Sequence, residues 1–185
     1  MVRLAPLGFH EIPPQLNLGV GQLTPVLTAT VCLMLDATYR VQRLRAGDRD
    51  IARRVFALMA DVFAEPHEAL GDAYVDALLG RADFWVLAAR ANDEVIAGLT
   101  AHTLPMTRAE RAEVFLYDVA VRADHQRRGV GRQLLTALRD AATAAGGLDV
   151  FVAAEAEDSH ALDFYRALGG TPTPMVMFTF AAGRR

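Results

Sequence analysis

The run Gln126-Arg127-Arg128-Gly129-Val130-Gly131 combines residue types and spacing suited to holding phosphate. Glycine lets a ligand approach the backbone closely, and arginine adds charge-assisted hydrogen bonds. Before the run lies Val114-Phe115-Leu116-Tyr117-Asp118-Val119-Ala120-Val121, an apolar, partly β-branched stretch that reads as a buried strand. After it, Val130, Leu134, Leu135, Leu138, Ala141 and Ala145 recur at helical spacing. The glycines and arginines therefore fall where a strand turns into a helix, whose N-terminus offers free N–H groups and a positive dipole end. A phosphorylated cofactor fits that chemistry. A Walker A loop would need Gly-Lys-Ser/Thr, which is absent. A dinucleotide fingerprint would sit in an early βαβ unit, whereas this loop follows three antiparallel-looking strands.

The elements that must position the loop can be read along the chain. Thr38 to Leu44 suits a first strand. Ile51, Val55, Leu58, Met59, Val62 and Phe63 have helical spacing, with Asp48 as N-cap and Pro66 beyond the helix end. Asp72 to Leu79 reads as a second helix closed by Gly80. Phe84 to Ala89 and Val95 to Leu104 form a hairpin about the turn at 91–94, and Glu113 to Val121 is the central strand. The helix after the loop stops at Gly146-Gly147; Val150 to Val152 is a short strand, Asp158 to Leu168 a helix, and Met175 to Phe180 a final strand. This order predicts an α/β domain with a mixed central sheet and flanking helices.

Composition narrows the function classes. With 185 residues, 52% hydrophobic and 22% charged, the chain can bury one core. A net charge of −3 argues against a general nucleic-acid binder. Cys32 is the only cysteine, which excludes internal disulfides and a cysteine zinc site. His67, His102, His125 and His160 make no metal spacing, so no metal is expected. Residues 1–33 carry Pro6, Pro13, Pro14 and Pro25 with few charges, and read as an extension outside a domain spanning 34–185. The apolar run Val26 to Leu35 is too short to span a membrane. A cytoplasmic location is the expectation.

Over roughly residues 38–180 the sequence resembles the GNAT superfamily of acetyl-CoA-dependent N-acetyltransferases. The resemblance rests on Asp118-Val119-Ala120-Val121, on Gln126 to Gly131, and on Phe164-Tyr165-Arg166-Ala167-Leu168-Gly169. It implies a GNAT fold containing a β-bulge strand, acetyl-CoA as cofactor, and often a dimer. It also implies that Gln126, Arg127, Arg128, Gly129, Val130, Gly131 and Arg132 cradle the CoA pyrophosphate. Val119, Ala120 and Val121 would present backbone groups to the pantetheine arm and thioester carbonyl. Tyr165 would face the thiolate as general acid. Asp158 stands where the family often has an Asn that touches CoA. A closer resemblance joins Glu113 to Val121 and Asp124-His125-Gln126-Arg127-Arg128-Gly129 to the gentamicin-type aminoglycoside 3-N-acetyltransferases. The segment Pro66–Gly71 is shorter than its counterpart there.

The chemistry is coherent with the residues. Acetyl transfer to an amine needs a base, an oxyanion site, an acid for the thiolate, and joint positioning. Asp118 and Glu113 are the candidate bases, directly or through water. An aminoglycoside is a small polycation, which clustered carboxylates would attract. Glu65 and Asp72, Glu113 and Asp118, and Glu155 and Glu157 beside Asp158 are the three groups expected to meet in one acidic cleft. Other amines, such as a polyamine, a peptide N-terminus or a protein lysine, satisfy the same chemistry, and a CoA-binding sensor without turnover is the reading from a different class.

Overall fold

The computed structural model describes residues 39–181. The expected extension over 1–33 lies outside the described residues. The chain runs β1 (Arg40–Arg43), α1 (Arg49–Phe63), α2 (Asp72–Leu79), β2 (Phe84–Ala91), β3 (Glu94–Pro105), β4 (Ala112–Val121), a 3-10 turn (Ala123–His125), α3 (Val130–Ala144), β5 (Val150–Val152) and α4 (Ser159–Ala167). The strands form one sheet in sequence order, β1 to β4 antiparallel and β4 with β5 parallel. This is the mixed sheet with flanking helices that the sequence predicts.

Strands β2 and β3 read as almost unbroken apolar runs because helices cover both faces. Val86 and Ala88 pack with Val55 and Met59 of α1 and Val75 of α2. Their neighbours Leu87 and Ala89 pack with Leu134 and Leu138 of α3 on the other face. Burying a side chain such as Val55, fully enclosed, contributes about 1.5–3 kcal/mol. Gly98 lets α1 lie this close to the sheet, since a Cβ there would come within 2.4 Å of Val55 Cγ1.

Two local expectations differ. Asp48 does stand at the N-cap of α1, yet its carboxylate makes no cap bond. It turns back and accepts from the Arg45 N–H at 2.8 Å, closing the preceding turn instead. The expected strand Met175 to Phe180 is irregular. A strand exists only through a partner, and this segment has none among the described residues.

Candidate active site

Strand β4 organises the site through two irregularities. Thr100 of β3 pairs with Asp118, but the next residue, Ala101, pairs with Leu116, so Tyr117 is an extra residue in a β-bulge. Further, β5 accompanies β4 only at Val114, Phe115 and Leu116. Past that fork, no strand among the described residues pairs with the outer side of β4 from Tyr117 to Val121. That side of the strand can pair with an extended ligand up to the Val121 carbonyl, which Gln126 takes.

The Gly-rich turn follows at once. Gln126 Nε2 donates to the Val121 carbonyl at 3.0 Å, which ties the loop to the strand end. Arg127 (φ 55°) and Gly129 (φ 81°) both take left-handed backbone. A non-glycine residue in that region, as Arg127 is, carries strain. Gly131 brings α3 against Phe164 of α4, since a Cβ at Gly131 would meet the ring at 3.3 Å. A cavity of about 520 Å3 opens here, lined among others by Val119, Val121, Arg127, Gly129, Arg132 and Phe164. Free amides at the α3 N-terminus, two glycines and arginines beside an apolar trough suit a phosphorylated ligand with an extended arm.

Asp118 faces a second cavity, of about 580 Å3, shared with Glu65, His67, Tyr74, His102 and Tyr117. Thr100 Oγ1 donates to Asp118 Oδ2 at 3.2 Å. Partial burial pushes the Asp118 carboxyl above the ordinary carboxylate range; the Thr100 bond opposes the rise, and the nearby Glu65 charge adds to it. An acid held this way can take a proton near neutral pH more readily than a solvated one. Phe84, His102 and Tyr117 form an aromatic wall, with ring centroids 5.1 and 5.7 Å apart.

Tyr165 is buried, and its hydroxyl has no hydrogen-bond partner among the described residues. It lines a third space, of about 470 Å3, with Leu116 and Val152 where β4 and β5 part. Loss of solvent, and then the Asp158 charge, hold the phenol above its ordinary pKa, so it keeps its proton.

The expected acidic residues are not brought together as one group. Glu65 and Asp118 share the second cavity, whereas Glu113, Glu155 and Glu157 do not line it. The Asp72 carboxylate is taken by two arginines of α1: Arg49 Nη1 donates to it at 2.6 Å, and Arg53 also bonds it. Asp158 caps α4 by accepting from the Ala161 N–H at 2.9 Å. Sequence reasoning missed Thr100, which only the bulged register sets opposite Asp118, and it gave His102 no role. The alternation of β3, with Thr100 and His102 two apart, was the available signal. His160 and Asp163 also line the loop cavity. Among the described residues, no cluster of His, Cys, Asp and Glu is placed to hold a metal ion. No described helix is long and apolar enough to cross a membrane.

Comparison with known proteins accords with this geometry. Residues 52–169 match the acetyltransferase (GNAT) family. An aminoglycoside acetyltransferase from an uncultured soil metagenomic sample, solved in complex with sisomicin, is 28% identical with a TM-score of 0.75; the match covers 81% of this chain and 99% of that one. A second aminoglycoside acetyltransferase from such a sample is also 28% identical at TM-score 0.75, over 79% of this chain and 99% of that one. A ribosomal-protein-alanine N-acetyltransferase from Brucella melitensis biovar Abortus 2308 shares the fold at 16% identity and TM-score 0.61, over 78% of this chain and 100% of that one. No curated protein matches the sequence.

Proposed function

The chain belongs to the acetyltransferase (GNAT) family, whose acetyl donor is acetyl-CoA, and from that premise we propose that it acetylates the 3-amino group of a gentamicin-like aminoglycoside, a modification that would confer resistance to the drug. The observation that carries the reading is Asp118. It is a partly buried acid on a bulge, beside Glu65 and an aromatic wall, next to the cavity of the glycine turn. A ring-shaped polycation suits that mixture of apolar faces and negative charge. The aminoglycoside acetyltransferases at 28–29% identity support it, one of them holding sisomicin.

Acetyl-CoA supplies the acetyl group as an activated thioester. The residues divide the remaining work. Gln126 holds the loop to β4, while Arg127, Arg128, Arg132 and the amides from Gly129 to Gly131 bind the pyrophosphate. The free side of β4 at Val119, Ala120 and Val121 aligns the pantetheine arm, with the Val119 N–H as oxyanion donor. Asp118 orients the acceptor ammonium and takes its proton, directly or through water. Tyr165 keeps a proton on its hydroxyl for the departing sulfur. Glu65 adds attraction for the other ammonium groups.

Thiol release from acetyl-CoA, measured with gentamicin, a polyamine, a lysine peptide and no acceptor, tests the reading. Rapid release with gentamicin alone is expected, with product NMR locating the acetyl group on the 3-amine. Turnover with the polyamine or peptide but not with gentamicin would move the acceptor class, and acetylation at another amine would overturn the position.

A further inference from the structure

His102 stands on β3 two residues beyond Thr100, and both side chains line the Asp118 cavity. Leu99 and Ala101, which alternate with them, are buried in the core on the α3 side. The extra residue of the bulge lies in β4, so β3 keeps its period here, and His102 is about 7 Å along the strand from the residue that holds Asp118. The ring is packed from two sides. Phe84 of β2 is its cross-strand partner, with centroids 5.1 Å apart. Tyr117, the extra residue of the bulge, meets it edge-on at 5.7 Å and 76°. Three strands thus contribute one row of rings with the imidazole in the middle, and such packing limits its rotation. Among the described residues, no hydrogen bond takes up either of its nitrogens.

Packing alone does not call for those nitrogens, since a phenyl ring would continue the row between Phe84 and Tyr117 equally well. The cavity offers a use for them. Its carboxylates are Asp118 and Glu65, and no lysine or arginine lines it. Negative charge draws a polycation in, but it does not choose between amines of equal charge. A few placed polar groups do that in an otherwise apolar site. A neutral imidazole adds one hydrogen-bond acceptor without adding a further charge to desolvate. Its position beside Asp118 is close enough for the two side chains to interact electrostatically.

We propose, resting on the reading that an aminoglycoside places its 3-amine at Asp118, that His102 accepts a hydrogen bond from the 1-amine of the same ring and so selects a cyclic 1,3-diamine over an isolated amine. The two amines sit on alternate atoms of one six-membered ring. Asp118 and His102 leave one sheet face about 7 Å apart, and with a hydrogen bond at each end they span a ring of that size. The ammonium donor makes the bond to His102 charge-assisted, hence stronger than a neutral one. Amines on the other sugars of the drug have no second ammonium at this spacing. They can reach Asp118 only by leaving His102 unpaired, and a substrate that cannot satisfy a placed polar group is discriminated against.

Kinetics with gentamicin and its 1-deamino analogue test the proposal, on the full chain and on His102→Phe and His102→Gln. His102→Phe keeps the row of rings and loses the acceptor nitrogen. Its kcat/KM for gentamicin should fall about tenfold, with the KM for acetyl-CoA within about twofold and the melting temperature kept. Removing the 1-amine should cost the parent about tenfold more than it costs this variant, because the variant has already lost the contact. His102→Gln, whose amide oxygen can accept the same bond, should recover part of the loss. Product NMR should show acetylation by His102→Phe spreading to amines outside the 1,3-diamine ring. A His102→Phe variant that matches its parent on gentamicin overturns the proposal, as does one that pays the same cost as the parent for the missing 1-amine. Loss of acetyl-CoA binding and melting temperature together with acceptor turnover would make His102 structural and overturn it as well. A parent inert toward every aminoglycoside overturns the functional reading itself, a result seen before any variant is compared.

Discussion

Replacing Asp118 by Asn should move activity and stability in opposite directions. The change preserves shape, and the side-chain oxygen still accepts from Thr100, so the fold has no reason to move. Activity should fall. A positioned base contributes about 10²–10⁴-fold, roughly 3–5.5 kcal/mol of barrier. If Asp118 takes the proton, the loss is in kcat; if it only attracts the ammonium, KM rises with kcat kept. Stability should rise at pH 7.5. The folded carboxyl lies above its unfolded value of 3.8, so between the two values the folded state binds more proton than the unfolded one. Stability then falls as pH climbs through that window, and at neutral pH the protein carries the full penalty of an ionised, desolvated acid. Asn removes the charge and with it the penalty. Thermal melts at pH 7.5 and pH 4 should therefore show the variant melting higher at pH 7.5, with the gap closing in acid. Thiol-release assays on the same preparations supply kcat and KM. Activity within tenfold of the parent, or a variant that melts lower at pH 7.5 than its parent, refutes the reasoning.

The other perturbations are simpler. Tyr165→Phe removes a hydroxyl that is buried without a partner among the described residues, so the melting temperature should hold or rise while kcat drops at least about tenfold; CoA affinity by calorimetry should stay within about twofold. An unchanged kcat would take Tyr165 out of the proton path. Gly131→Ala places a methyl 3.3 Å from the Phe164 ring and shifts the α3 N-terminus, so the KM for acetyl-CoA should rise about tenfold while the acceptor KM moves little. Raising salt from 0.05 to 0.5 M should raise the KM for a polycationic acceptor several-fold, because the Debye length shrinks severalfold. Glu65→Gln should flatten that dependence, and a flat response in the parent enzyme would show that charge does not select the acceptor.

Elements carried by their own side-chain period were legible. Asp72–Leu79 and Val150–Val152 match their expected bounds, and the hairpin and β4 agree within a residue or two. What failed to read depended on partners elsewhere. Met175 to Phe180 has the residues of a strand but no ladder among the described residues. Asp72 looked like a free carboxylate because nothing in local spacing shows that Arg49 and Arg53, a helix away, reach it. Asp158 and Glu157 look alike in sequence, yet Asp158 spends its oxygen on a helix cap. The glycine turn was visible because its shape lies in the backbone, and only glycine content and a strand–helix junction are needed to see it.

The bulge explains why one strand can serve two cavities. In regular alternation, Leu116 and Asp118 would face the same side, and Asp118 would point with Leu116 toward α3. The extra residue at Tyr117 breaks the period, so Tyr117 and Asp118 both open toward the α1 side, where they line one cavity. Val119 then returns to the α3 core, and Ala120 packs on the α1 side again. Since a one-residue slip inverts every side chain beyond it, the bulge sets which face receives the acid and which receives the residues beside the glycine turn. On the proposed reading, an acceptor held at Asp118 and a donor aligned along Val119 to Val121 would meet at adjacent residues. Their approach would then be set by the pleat of β4, so deleting the extra residue Tyr117 should cost turnover more than it costs acetyl-CoA binding, read from kcat and calorimetry.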